Sequence, residues 1–207
     1  VLADRDGIEA LTMRRLGQAL GVEAMSLYNH VAGKDDILAG ILDLVVGELT
    51  LPDGRSRWRE ALRSIALAVN AILRRHPWAP SLLVMRPELT GAARWRQMDA
   101  MLGALRRAGF SVEDTHHAFH VLDSYIIGFS LQQVSFPAPT DDMAAQAERF
   151  LAGFPATAHP HLAEHIRYHI DSGMFDEGDF EFGLDLILDR LATMRRRSAD
   201  RADVGTS

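Results

Sequence analysis

Cysteine is missing altogether from the 207 residues, and lysine is nearly so: Lys34 is the only one among 22 cations. The first absence removes disulfides, thiolate nucleophiles and thiolate zinc sites together; it fits a reducing cytosol, so a cytoplasmic location is expected. There is no run of about 18 apolar residues, the length a membrane-spanning helix needs, and no secretory leader is visible. Repeats, low-complexity blocks and strand-period alternation are also missing. No nucleophile elbow, glycine-rich phosphate loop or metalloprotease signature occurs. The acid pairs Asp35-Asp36 and Asp141-Asp142 stand at helix starts, where capping accounts for them. An enzyme, a resident metal and a cofactor are therefore not expected.

What is present is helical spacing, and the chain reads as all-α. Thr12 is placed to cap a first short helix, with Met13, Leu16 and Leu20 on one inward side and Gly21 as its left-handed stop. Val22 fills the corner. A second short helix starts at Glu23 with Leu27 and Val31 inward, leaving Ala24, Met25, Ser26, Tyr28, Asn29 and His30 outward. Small, amide, hydroxyl and aromatic groups on a short exposed helix suit a major groove. An ordinary three-helix packing unit with a polar face is the competing account.

Gly33-Lys34-Asp35-Asp36 opens a third helix, and Leu51-Pro52-Asp53-Gly54 is the best boundary signal. This gives a domain over 1–50, a larger helical one over 51–198 and a disordered polar tail over 199–207. In the larger part, an apolar stripe from Trp58 to Leu73 ends at His76-Pro77, and a helix from about Leu89 to Ala108 has Trp95, Met98, Met101, Leu102 and Leu105 inward. Ser111 starts a long helix to about Ser135; Pro137 and Pro139 end it, and Asp141-Asp142 begin another holding Phe150 and Leu151. A loop over Gly153–Pro160, a helix over His161–Ile170 and a last helix over Phe180–Arg197 complete the chain. The chain opens at Val1 and reaches Asp6-Gly7-Ile8 almost at once, so most of a first helix is expected to precede it.

Charge pulls the other way. The net charge is −6, and residues 1–50 hold eight acids (Asp4, Asp6, Glu9, Glu23, Asp35, Asp36, Asp43, Glu48) against Arg5, Arg14, Arg15 and Lys34. Nucleic-acid modules normally carry a basic footprint, so weak non-specific binding is expected. His161, His165 and His169 share a helical face at metal-ligand spacing, although a solvated histidine face is the commoner case. His116 and His120 share another face, where they can line a cavity.

Two sets of motifs resemble one family. Leu11-Thr12-x-Arg14-x-Leu16-x-x-x-Leu20-Gly21-Val22, then Ser26-Leu27-Tyr28-x-His30-Val31 and Gly33-Lys34-x-x-Ile37-Leu38, look like the helix-turn-helix of TetR-type transcriptional repressors. Arg86-Pro87, Gly109-Phe110-Ser111 and Phe182-Gly183-Leu184-x-Leu186-Ile187 look like the C-terminal domain of the tetracycline-repressor branch. The resemblance implies a ligand-responsive homodimeric repressor of operator DNA, paired through helices near 112–135 and 179–195. DNA would be met by Thr12, Arg14, Ala24, Met25, Ser26, Tyr28, Asn29, His30 and Lys34. Of these, Arg14, Tyr28, His30 and Lys34 would hold phosphates, while Met25, Ser26 and Asn29 would touch bases. Ala24 stands where the tetracycline repressor has a base-reading amide, so a different operator is implied.

The effector cavity of that branch maps onto Thr50, Ile65, Val69, Leu83, Met85, Met98, Met101, His116 and Gln132, and His120, on the same face as His116, is added to the expected polar groups. Ile65, Leu83 and Met101 cannot coordinate or hydrogen-bond as a magnesium–tetracycline chelate requires. A small, mostly apolar organic effector is expected instead; methionines that simply fill core are the competing account. A helical sensor or carrier with degenerate DNA binding is the alternative function.

Overall fold

The computed structural model describes residues 2–135, 148–172 and 177–204, and all of its regular structure among them is helical. The expected break at Pro137 and Pro139 and the helix start at Asp141-Asp142 lie outside the described residues.

The N-terminal elements are short. Helix α1 (Leu2–Asp6) and a 3₁₀ turn (Ile8–Ala10) lead into α2 (Met13–Leu20), α3 (Ala24–Leu27) and α4 (Lys34–Val46). Thr12 is extended, and its side chain accepts the Arg15 N–H at 3.2 Å, so α2 starts where an orphan amide finds a partner. Gly21 ends it at φ 70°. Gly17 permits the tight corner: a Cβ there would sit 2.8 Å from the Val22 carbonyl oxygen and 3.1 Å from the Ala24 nitrogen. That close backbone approach seals the seam between α2 and α3. Consequently Leu20 and Val22, expected inward, are 64 % and 44 % exposed. The corner is filled by backbone rather than by Val22.

Helix α4 buries Leu38, Leu42, Val45 and Val46 and packs on the larger part of the molecule. There α5 (Trp58–Arg75) is the central rod, in contact with α7 (Ala92–Arg107), α8 (Val112–Ser135) and the last helix, α10 (Glu177–Val204). Helix α6 (Ala79–Met85) has Pro80 in its first turn, where the missing N–H costs nothing. Residues 148–153 are helical and α9 spans Pro160–Ser172. Leu62, Ile65 and Leu73 of α5 meet Met101 and Leu105 of α7, Leu122 and Ile126 of α8, and Phe180, Leu184 and Leu188 of α10 in one fully buried core. Each such side chain contributes on the order of 2 kcal/mol of burial.

Two further expectations are corrected. Trp95 is 63 % exposed, while α7 instead buries Arg94 and Gln97. The Arg94 guanidinium bonds both Asp123 oxygens on α8 at 2.6 Å and Gln97 at 2.6 Å, so a paired charge occupies the inward arc. The tail expected to be disordered over 199–207 is helical through Val204. Ala199, Arg201 and Ala202 are strong helix formers, which suits continuation of the helix; residues 205–207 lie outside the described set.

Candidate nucleic-acid interface and effector region

The outward edge of α2, α3 and the following turn is where the proposed DNA-facing residues collect. Thr12 and Arg14 are exposed on α2's entry, and Met25 (74 %), Tyr28 (50 %), Asn29 and His30 are exposed along α3 and the turn. Ala24 and Ser26 are half-buried. The Ser26 hydroxyl donates to the Glu23 carbonyl at 2.8 Å, which fixes it against the start of the helix. Lys34 is exposed, but its ammonium lies 3.8 Å from the Glu9 carboxylate. Arg15 is committed to Asp6. Such exposed pairs are worth little in water, so Lys34 remains recruitable by a phosphate. The strip offers an amide, a phenol, an imidazole and a thioether, with cations at both ends. That chemistry matches base edges and phosphate oxygens.

Polar ties from α4 to the larger part hold this head, and sequence reasoning missed them. Asp35 pairs with Arg86 at 3.0 Å. The Asp43 carboxylate accepts the Ala93 N–H at 2.7 Å and so caps α7 from outside it. At the end of α4, Glu48 accepts from Arg75 at 2.5 Å and lies 3.1 Å from His76. The other nitrogen of His76 is 2.7 Å from Asp4, which also accepts the Trp78 indole N–H at 2.7 Å. The Arg75 guanidinium, above all, holds the Glu48 carboxyl below its ordinary range; burial opposes this and His76 adds to it. Under this knot lies a cavity of about 400 Å³ with apolar walls including Leu11, Leu16, Ile41, Val45 and Trp78. The only sequence signals were an arginine before a proline (Arg86-Pro87) and a tryptophan after one (Pro77-Trp78).

The residues proposed for the effector fall into three groups. Ile65 (1 %), Val69 (6 %) and Met101 (0 %) are core, and Leu83 and Met98 are half-buried. Thr50, Met85, His116, His120 and Gln132 are exposed. None of them lines the 400 Å³ cavity. Ile65 touches a far smaller one of about 30 Å³, beside Pro52, Ala61, Ala100, Ala104 and Arg107. Ile65, Val69 and Met101 belong to the buried core cluster, and Leu83 and Met98 pack against it. Sequence reasoning also missed a buried polar cluster between α5 and α8. There the Asn70 amide donates to Ser130 Oγ at 2.9 Å and Gln133 Oε1 at 2.7 Å. A single asparagine inside an apolar stripe was its only signal.

His161 and His165 are exposed on α9, and the side chain of His169 lies outside the described residues. Among the described residues no three ligating groups converge on one point, and no helix is long and apolar enough to cross a membrane. On the outer side of α8 and α10, Val112, Val121, Phe182 and Leu186 are more than half exposed.

Comparison with known proteins agrees with this architecture. Residues 51–195 match the model of the tetracyclin repressor-like C-terminal domain. An HTH-type transcriptional regulator of Saccharopolyspora erythraea is 38 % identical over 128 residues, covering 61 % of this chain and 54 % of the relative. The HTH-type transcriptional repressor DrrR1 of Streptomyces coeruleorubidus is 35 % identical over 135 residues, covering 64 % of this chain and 50 % of the relative. The matches thus span about half the length of these two relatives. Among solved structures, apo ActR of Streptomyces coelicolor superposes with a TM-score of 0.76 at 28 % identity, covering 95 % of this chain and 92 % of that one. ActR in complex with actinorhodin superposes at 0.73 and 27 % identity, covering 94 % and 92 %. With residues 51–195 matched to the family model and its fold shared across almost the whole chain, this protein belongs to the TetR family.

Proposed function

We propose that the chain is a homodimeric transcriptional repressor released from its operator by a small, mostly apolar organic molecule. The observation that carries the reading is the outward strip on and after α3, where Met25, Tyr28, Asn29 and His30 are exposed together beyond the Gly21 corner. In this reading residues 1–50 are the DNA-binding domain and 51–198 the effector and pairing domain. Arg14, Tyr28, His30 and Lys34 contact phosphates, with Thr12 beside them at the start of α2. Met25, Ser26 and Asn29 touch bases beside Ala24. The repressor DrrR1 and the ActR–actinorhodin complex support the two halves of the proposal. Pairing would cover Val121, Phe182 and Leu186 with the same helices of a second copy, and Ile65, Val69, Leu83, Met85, Met98, Met101, His116, His120 and Gln132 would surround or support the effector.

Two heads on one dimer would face successive major grooves, about one helical turn apart. An effector would act by favouring a different setting of α4, and it can shift the equilibrium only as far as its affinities for the two settings differ. Fluorescence anisotropy on the native upstream DNA tests the head. Tyr28→Ala with Lys34→Ala is expected to weaken binding to every sequence, and Asn29→Ala to change preference at one base position. Unaltered affinity in the double variant would remove the assignment.

The acidic head favours one other reading, a helical sensor or carrier without DNA binding. Salt separates the two: phosphate contacts impose a steep fall of affinity with ionic strength, whereas a carrier shows no promoter binding at low salt.

A further inference from the structure

The first half of α8 carries His116, His117 and His120, all exposed. His116 and His120 are one helical turn apart, and their imidazole centroids are 4.5 Å apart at an interplanar angle of 70°. The ring of buried Phe119 meets His120 edge-on at 5.4 Å. His117 also touches His116, at 5.4 Å, but its Nε2 points to Glu113 at 4.0 Å. The nearest acid one turn on, Asp123, is committed to Arg94.

Two imidazoles on one cation have a predictable spacing. A metal–nitrogen bond of about 2.1 Å puts each ring centre about 3.2 Å from the metal, and an angle of roughly 90–110° at the metal sets the centres about 4.5–5.2 Å apart. The observed separation already lies at the near end of that range. We propose that His116 and His120 form a two-nitrogen site for a late first-row divalent cation such as Ni(II), Cu(II) or Zn(II). Imidazole suits these ions, whereas magnesium and calcium want oxygen donors. No third ligating group joins the pair among the described residues, so water fills the remaining positions. Ligation needs neutral imidazoles, so occupancy falls in acid. The site does not rest on the repressor reading.

The test is calorimetric titration of the untagged full chain with nickel chloride in a non-chelating buffer near neutral pH. Cu(II) electron paramagnetic resonance supplies a second readout, the hyperfine pattern of two equatorial nitrogens. One micromolar Ni(II) site per chain is expected. His116→Ala and His120→Ala should each weaken it at least about tenfold and reduce the copper pattern to one nitrogen. His117→Ala, and His161→Ala combined with His165→Ala, should leave the tight site in place. Wild-type affinity in His120→Ala, an equal loss in His117→Ala, or disappearance of the site with His161 and His165 overturns the proposal.

Discussion

Gly183 and Tyr125 show how one missing side chain positions a helix. The Tyr125 ring stacks on Phe180 at 5.3 Å, and its hydroxyl donates to the Phe180 carbonyl at 2.9 Å. A Cβ on Gly183 would collide with that hydroxyl and come within 2.7 Å of the ring carbon bearing it. Burial, reinforced by the charge of Asp179, pushes the phenol up to about 12. Gly183→Ala is expected to destabilise the fold by about 1–3 kcal/mol through overpacking. Urea denaturation checks this, and Tyr125→Leu added to the variant should recover part of the loss, because the two effects share one contact. Arg94 makes a second case, since its side chain is only 8 % exposed and Asp123 is 18 % exposed. Arg94→Met should cost about 3–5 kcal/mol by leaving a carboxylate largely buried without its partner. Converting Asp123→Leu in the same chain should recover most of that in the same denaturation assay.

At the scale of elements, α4 and the turn after it couple the head to the rest through acids: Asp35 to Arg86 and Asp43 to the start of α7 from the helix, and Glu48 just beyond it to Arg75 and His76. Because Arg75 chiefly lowers the folded Glu48 carboxyl from its ordinary value of 4.5, the stabilisation is fully present above that value. It disappears as pH falls through the lower folded value. Glu48→Gln should therefore be less stable than the wild type at neutral pH, and the gap should close on acidification; denaturant midpoints across that range provide the check. A gap that widens in acid would show that the tie works by something other than the charge. The sequence made α4 legible as a helix, since Lys34-Asp35-Asp36 and the apolar spacing from Ile37 to Val46 are local. It did not reveal these ties, whose partners lie 27 to 51 positions away in the chain.

For the whole molecule the deciding surface is the outer side of α8 and α10. Phe182 and Leu186 are 68 % and 56 % exposed, while Phe180, Leu184 and Leu188 on the same helix are buried. A helix apolar on both sides needs a second covering surface. If the chain pairs as proposed, Phe182→Glu with Leu186→Glu should leave it monomeric in light-scattering chromatography, where the wild type is dimeric, with the helical circular dichroism unchanged. A wild-type chain that is already monomeric would remove the proposed pairing and, with it, the two-headed grip on DNA.

Local chemistry was enough to determine the all-α class and where most of the described helices start. Thr12, Gly21 and Ser111 act within a few residues of themselves, and apolar period needs no partner to be read. The HTH corner and the all-α class followed from those signals. Tertiary structure alone decided that Arg94 turns inward and Trp95 outward, that Asn70 finds Ser130 and Gln133, and that Leu20 and Val22 face solvent. These outcomes depend on which distant group can neutralise, hydrogen-bond or exclude a side chain. That is a property of packed helices, and no single helical period contains it.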